Sequence, residues 1–414
     1  MSAPVSSAAA GTAVNWTARS ALIVGLCFVT NMVDGMDVNV MSYIRAALSK
    51  DWTVADDVMG YVMSAGTLGM GIGALLIAPF ADRYGRKPVI LAALALMSLG
   101  MVACGFVSAI EGLMAARLIV GMGIGTVLAT MAALAAESAP VGKQDMAVGF
   151  VQAGFPLAAV GTGFAVGALE PLIGWQALLL WAGVITTLML PLAWAILPAH
   201  LADAGAGKAS AAHAVATVFS LKYRARTVFL WTAVFMGLMV LYSMLSWITK
   251  LASGAGLSDA DSIYAGAFYN IGAFIGTSSM GLLTLRIRPG VLVPVLLGCA
   301  AVAMLVFGNV AMSVSGALAM AFLIGLTLQG GYNGMWPIAA ASYPVDSRAT
   351  GIGWAMGIGR GGAVVGPIIA GYLMAAKVSL PMILAIYCVP LLLCAFCAAM
   401  VGRSIRKDDL AAKA

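Results

Sequence analysis

Asp34 and Asp37, in the stretch Asn31-Met-Val-Asp-Gly-Met-Asp37, fall inside an apolar segment running from about Ala21 to Ile44. A spacing of three puts both carboxylates on one helix face. A charge at mid-membrane costs roughly 2.5–3.5 kcal/mol on insertion scales, so a buried acid defaults to a functional reading. One acid neutralised by a buried arginine would serve packing alone, but a structural pair needs one acid and here there are two. The chemistry open to them is proton handling. Both histidines, His200 and His213, lie in a polar stretch between apolar segments. A proton carried within the membrane therefore has to ride on carboxylates, and Asp34 and Asp37 are the only acids well inside a segment.

Two arginines are as conspicuous. Arg117 lies at a depth similar to that of Asp37, and a charge pair between them is expected to couple the two. Arg360 lies about 12 residues into the segment 349–374, among Gly357, Gly359, Gly361 and Gly362. A guanidinium there can meet a carboxylate through two parallel hydrogen bonds; the alternative is a structural cap on backbone carbonyls. Gln329, Tyr332, Asn333 and Trp336 follow one another at short helical spacings. They offer hydrogen bonds and a flat apolar wall for a ring. Tyr242 and Asn270 are further candidates, with Trp247 and Tyr269; any one aromatic could instead be an interfacial or packing residue. The first half of the chain thus holds acids and one arginine, the second amides, aromatics and Arg360. This reads as proton handling in the first half and substrate binding largely in the second.

The elements that must position these residues are membrane helices. The chain has 414 residues, 62% hydrophobic and only 9% charged, with a mean hydropathy of +1.01. A soluble domain is nearer 25% charged. The apolar runs are about 20 residues long and do not alternate, which favours helices over a barrel. Twelve can be marked, near 21–44, 57–80, 89–109, 112–136, 146–168, 173–197, 227–250, 262–285, 290–309, 314–340, 349–374 and 379–402. The expected organisation is a cytoplasmic tail 1–18, a six-helix bundle 19–197, a cytoplasmic linker 198–226, a second six-helix bundle 227–402 and a cytoplasmic tail 403–414. Met1–Asn15 reads as a polar tail, so no cleavable leader is expected and the first segment stays as a span.

With both termini cytoplasmic, the inner segments collect most of the Lys and Arg, and the outer loops hold only Lys50, Lys250 and Lys377. The net charge of +6 is explained by that asymmetry and calls for no nucleic acid. The six cysteines all fall in apolar segments, and the CxxC pair Cys394 and Cys397 has no nearby histidine, so no metal site is expected. Nor does any nucleophile, metal or base cluster suggest an enzyme.

The halves repeat. A shift of 204 residues lays Ser138-Ala-Pro-Val141 on Ser342-Tyr-Pro-Val345, Gly121 on Gly325 and Gly149 on Gly353. A duplicated six-span half is a transporter architecture, with the substrate site near the midplane between halves.

Between the second and third segments stands Ala81-Asp-Arg-Tyr-Gly-Arg-Lys-Pro88. Asp82, Arg83, Gly85, Arg86 and Lys87 resemble the signature loop of the major facilitator superfamily, with Ala78 in place of its first glycine. The resemblance implies an inner gate held by charge pairs at this loop. Glu137 closes the inner end of the fourth span and is expected as a gate partner. The second-half copy, Gly281-Leu-Leu-Thr-Leu-Arg-Ile-Arg-Pro289, has lost the acid and the turn glycine. Asp34-Gly-Met-Asp37, with Tyr343-Pro-Val-Asp-Ser-Arg-Ala-Thr-Gly-Ile-Gly-Trp354 and Gly357-Ile-Gly-Arg360, is similar to the aromatic acid:proton symporters within that superfamily. Met36 replaces the usual aromatic.

The expectation is an all-α integral membrane protein of the major facilitator fold, with twelve transmembrane helices in two pseudo-symmetric six-helix bundles. It would sit in the inner membrane as a functional monomer, not an enzyme, without cofactor or metal. The resemblance implies import of a benzoate- or hydroxybenzoate-like acid, with protons as the coupling ion. A porter of another small organic acid or of a sugar, and a transporter-like membrane sensor, stay open as alternatives.

Overall fold

The computed structural model describes residues 16–140, 143–197 and 216–411. The chain before residue 16, and His200, Lys208 and His213 of the expected linker, lie outside the described residues. Among the described residues there is no strand. The helices are α1 (Ala18–Trp52), α2 (Asp56–Ile77), α3 (Arg86–Phe106) and α4 (Ile110–Ser138), then α5 and α6, which share the run Gln144–Ile196. The second half holds α7 (Arg224–Gly254), α8 (Asp259–Arg286), α9 (Pro289–Asn309), α10 (Val314–Ala341), α11 (Val345–Ala375) and α12 (Leu380–Ala411). Among the described residues ten runs are long and apolar enough to cross a membrane, the α5–α6 run counting once. The twelfth span is α8, whose 28 residues rise about 42 Å, more than the hydrocarbon core requires.

Local chemistry sets the breaks. Gly174 parts α5 from α6 with φ +78°, and Gly85 turns the chain into α3 with φ +88°; only glycine takes these values without steric cost. The end of α2 widens into a π turn, Gly73–Ile77, and the Thr126 hydroxyl donates to the Gly73 carbonyl at 3.1 Å. The first stretch of α10 stops at Asn333 and the helix resumes at Met335, so its break falls among the candidate site residues. Helices also outrun the apolar segments: α7 starts at Arg224 and α12 runs to Ala411. Hydropathy marks only the lipid-immersed part of a span, and Arg226, buried by packing, anchors the polar extension.

Helices α1–α6 form one bundle and α7–α12 the other. In lipid no hydrophobic force drives one apolar helix onto another, so close packing at small residues has to hold them. A Cβ on Gly121 would strike the Gly66 carbonyl, and one on Gly325 the Tyr269 carbonyl. Gly69 stands likewise against Leu118 and Gly272 against Phe322, Gly73 against Met122 and Gly276 against Leu326. The α2–α4 clamp of the first bundle is therefore repeated as α8–α10 in the second. Between bundles, α2 packs on α11 and α5 on α8, with α1 crossing α7. The repeat exchanges the first two contacts, as a pseudo-two-fold relation requires. The outer faces are apolar, with Leu99, Phe106, Leu172 and Leu285 at least 70% exposed, as surfaces facing acyl chains should be.

Candidate substrate site and charge network

A cavity of about 150 Å³ lies between the bundles. Seven of the nine residues considered for substrate line it: Tyr242 on α7, Asn270 on α8, Gln329, Tyr332, Asn333 and Trp336 on α10, and Arg360 on α11; Trp247, whose Nε1 donates to Pro367 O at 3.1 Å, and Tyr269 are buried in the helix packing instead. Glycines seat Arg360. A Cβ on Gly362 would strike the Phe235 carbonyl, and one on Gly359 would meet Val234 and Leu238, so α11 lies directly on α7. Arg360 Nη1 donates to the Tyr242 hydroxyl at 2.9 Å, and the guanidinium lies 5.9 Å from the Tyr242 ring centroid. Its Nη1 is also 3.9 Å from Met70 Sδ, across the bundle boundary. No carboxylate pairs with Arg360 among the described residues. A half-buried guanidinium with a tyrosine for its neighbour has donors left for an incoming carboxylate.

Tyr332 and Trp336 stand edge-to-face, 5.9 Å between centroids, and form an aromatic wall. Asn333 donates to Thr277 Oγ1 at 2.7 Å. The Asn270 amine has other business: it reaches Asn39 Oδ1 at 3.3 Å, the Tyr43 hydroxyl at 3.1 Å and Gly266 O at 3.0 Å. Asn270 thus ties α8 to α1 as well as lining the cavity. Sequence reasoning missed the opposing wall, Asn31, Met70, Leu128, Gln152, Phe155 and Pro156. Asn31 carried a signal, since it precedes Asp34 by three and shares its helix face.

Asp34 and Asp37 are fully buried and are not among the residues that line the cavity. Thr186 on α6 donates to Asp37 at 3.2 Å to Oδ2, a partner absent from the sequence reading. Neither carboxylate oxygen of Asp34 has a hydrogen-bond partner among the described residues. The charge pair expected of Asp37 and Arg117 is not a direct ion pair among the described residues, though Arg117 lies within electrostatic reach of Asp37. Arg117 Nη1 instead lies 3.6 Å from Met101 Sδ. Helix packing sets how far apart the two side chains stand, which depth along the sequence cannot show. A void of about 20 Å³ borders Arg117, Met70 and Tyr242, enough for one water. Met70 and Tyr242 also line the larger cavity, so they stand between Arg117 and Arg360.

The bundles are joined at one end. Lys250 Nζ lies 3.5 Å from Asp56 Oδ2, the Tyr61 and Tyr372 hydroxyls are 2.8 Å apart, and Thr249 donates to Ser42 O at 2.9 Å. At the opposite end the described ion pairs stay within one bundle. Arg86 pairs with Glu137, both expected gate residues, and Arg226 pairs with Asp408. Among the described residues Lys87 joins no charge pair there; its Nζ donates to the carbonyls of Trp194 and Leu197 at the end of α6. The side chains of Asp82 and Arg83 lie outside the described residues.

The family model described as Major Facilitator Superfamily matches residues 26–341. A gallate transporter of Pseudomonas putida is 30% identical over 92% of this chain and 90% of its own length. The 4-hydroxybenzoate transporter PcaK of Pseudomonas aeruginosa is 31% identical over 85% of this chain and 86% of its own. The 3-(3-hydroxy-phenyl)propionate transporter of Escherichia coli is 29% identical over 87% and 88%. A bacterial homologue of the human lysosomal transporter Spinster, solved inward-facing and occupied, superposes with a TM-score of 0.76 at 16% identity, over 95% of this chain and 99% of that one. The chain belongs to the Major Facilitator Superfamily, in the branch that holds these aromatic-acid transporters.

Proposed function

We propose that this transporter imports a small aromatic carboxylate together with protons, by alternating access. The reading rests on one observation above all: Arg360, free of any described carboxylate, faces a ring-sized cavity beside the Tyr332–Trp336 wall. A cavity of about this volume takes a single six-membered ring, and the names of the relatives point to ring acids. In this reading the carboxylate binds Arg360 with Tyr242, and the ring lies along α10. Arg117, the one-water void and Tyr242 connect Asp37 to that site, so protonation of the acid pair and filling of the cavity bias the same bundle arrangement. The Lys250–Asp56 and Tyr61–Tyr372 contacts close the outer end, with the Arg86 end facing the cytoplasm. Asp82, Arg83, Gly85, Arg86, Lys87 and Glu137 would then act as the inner gate when the bundles rock.

The test is uptake of radiolabelled 4-hydroxybenzoate into proteoliposomes, with an inward proton gradient imposed or collapsed. Accumulation driven by the gradient is expected in the wild type. Uptake indifferent to the gradient would remove the proton from the reading, and no binding of any ring acid in a panel would remove the substrate class.

A further inference from the structure

The turn into α3 spends its cations on the protein. Arg86 meets Glu137 at the end of α4, and Lys87 meets free carbonyls at the end of α6. The same turn in the second bundle has kept its cation and lost these partners. Arg288 stands before Pro289 as Lys87 stands before Pro88. The shift of 204 residues that aligns Ser138 with Ser342 puts Ala341 in the place of Glu137. α12 does not end where α6 ends but continues as helix to Ala411, so its carbonyls near Val401 are engaged within the helix rather than open to a cation.

Two more arginines join Arg288. Arg403 and Arg406, three apart on α12, line with it a groove of about 510 Å³ between α9, the end of α10 and α12. Ala341 lines the groove too. Gly290 and Gly402 bring α9 and α12 into close backbone contact there. The remaining walls are apolar and open outward: Val291 and Val295 are 56% and 55% exposed. All three arginines are exposed, and no described carboxylate pairs with them. Asp408 is engaged by Arg226, and the side chain of Asp409 lies outside the described residues.

We propose that this groove binds an anionic phospholipid, its phosphate at Arg288, Arg403 and Arg406 and an acyl chain along Val291 and Val295. Guanidinium groups match phosphate oxygens in a bidentate fashion, and basic pockets between membrane helices suit anionic headgroups. A free phosphate would leave the apolar walls without a purpose, whereas a lipid uses both.

The test is native mass spectrometry of the full chain in detergent, titrated with phosphatidylglycerol, phosphatidylcholine or inorganic phosphate. The wild type is expected to retain phosphatidylglycerol and not phosphatidylcholine, with inorganic phosphate failing to displace it. The triple variant Arg288→Gln, Arg403→Gln, Arg406→Gln should bind phosphatidylglycerol about a hundredfold more weakly, at about fivefold per basic residue. Lys222→Gln with Arg224→Gln, which removes exposed cations on α7 and just before it, should leave binding unchanged. Should the triple variant not fold, Ala341→Glu carries the test: it restores the carboxylate of the first bundle and should weaken lipid binding. Equal phosphatidylglycerol retention in wild type and variants, equal retention of phosphatidylcholine, or displacement by inorganic phosphate would each overturn the proposal.

Discussion

Arg360 and Tyr242 share one hydrogen bond, so their variants should separate charge from positioning. Arg360→Lys keeps the charge but loses the planar fork. Hydrogen bonds to a charged group contribute about 1.5–3 kcal/mol, so uptake of a ring acid should fall by roughly tenfold to a hundredfold, read as a rise in KM. Tyr242→Phe keeps the ring over the guanidinium and frees the Arg360 donor; a change of only a few-fold is expected in the same assay. Asp37→Asn should abolish gradient-driven accumulation while leaving substrate exchange between the two sides of the membrane, measured by counterflow. Loss of exchange as well would place Asp37 in substrate binding or folding rather than in coupling. Thr186→Ala, which removes the one described side-chain hydroxyl that donates to that carboxylate, should shift the pH profile of uptake without abolishing it.

At the scale of helices, the paired glycines of α2 and α4, and of α8 and α10, set how closely two backbones approach. Gly69→Val and Gly272→Val would each push a side chain into a facing carbonyl, of Leu118 and Phe322. Overpacking of this kind costs about 1–3 kcal/mol. Both variants should lower the melting temperature in detergent, and to a similar extent, since the contact is the same in the two bundles. Gly149→Ala and Gly353→Ala, where a Cβ would meet nothing within 4 Å, should leave it unchanged. Gly121 and Gly325 could be matched from the repeat alone. The pairs Gly69–Gly272 and Gly73–Gly276 escape that shift because α2 maps onto α8 with one residue fewer. The facing carbonyls, which explain why all six are glycine, belong to other helices.

At the scale of the whole molecule, the bundles are tied at the Lys250 end, whereas the described ion pairs at the Arg86 end each stay within one bundle. Asp56→Asn combined with Lys250→Gln removes the described ion pair across that boundary. Spin labels at Ala55 and Ala260, both exposed at that end and in different bundles, should then report a longer mean distance than in the otherwise unsubstituted protein. An unchanged distance would mean that helix packing and the Tyr61–Tyr372 contact hold the end closed without the ion pair. Adding a ring acid should shift the distribution in the labelled parent, because a ligand that bridges Arg360 and the α1–α5 wall binds the two arrangements unequally.

The sequence by itself determined that this chain spans a membrane with twelve helices in two repeated halves, and it singled out Arg360, the α10 quartet and the acid pair. Lipid makes this legible: each span must be apolar along its length and satisfy its own backbone, so every polar residue inside one stands out without knowledge of its neighbours. Tertiary structure alone decided what those residues face. It brought Arg360 to Tyr242 and Met70, gave Asp37 a hydroxyl from Thr186 in place of direct contact with Arg117, and turned Asn270 toward α1. It also assembled the cavity wall of Asn31, Gln152 and Phe155 opposite the expected one. Spacing along one helix fixes a face, but the contact that face makes depends on the rotation and closeness of helices distant in the chain, which the glycine clamps set.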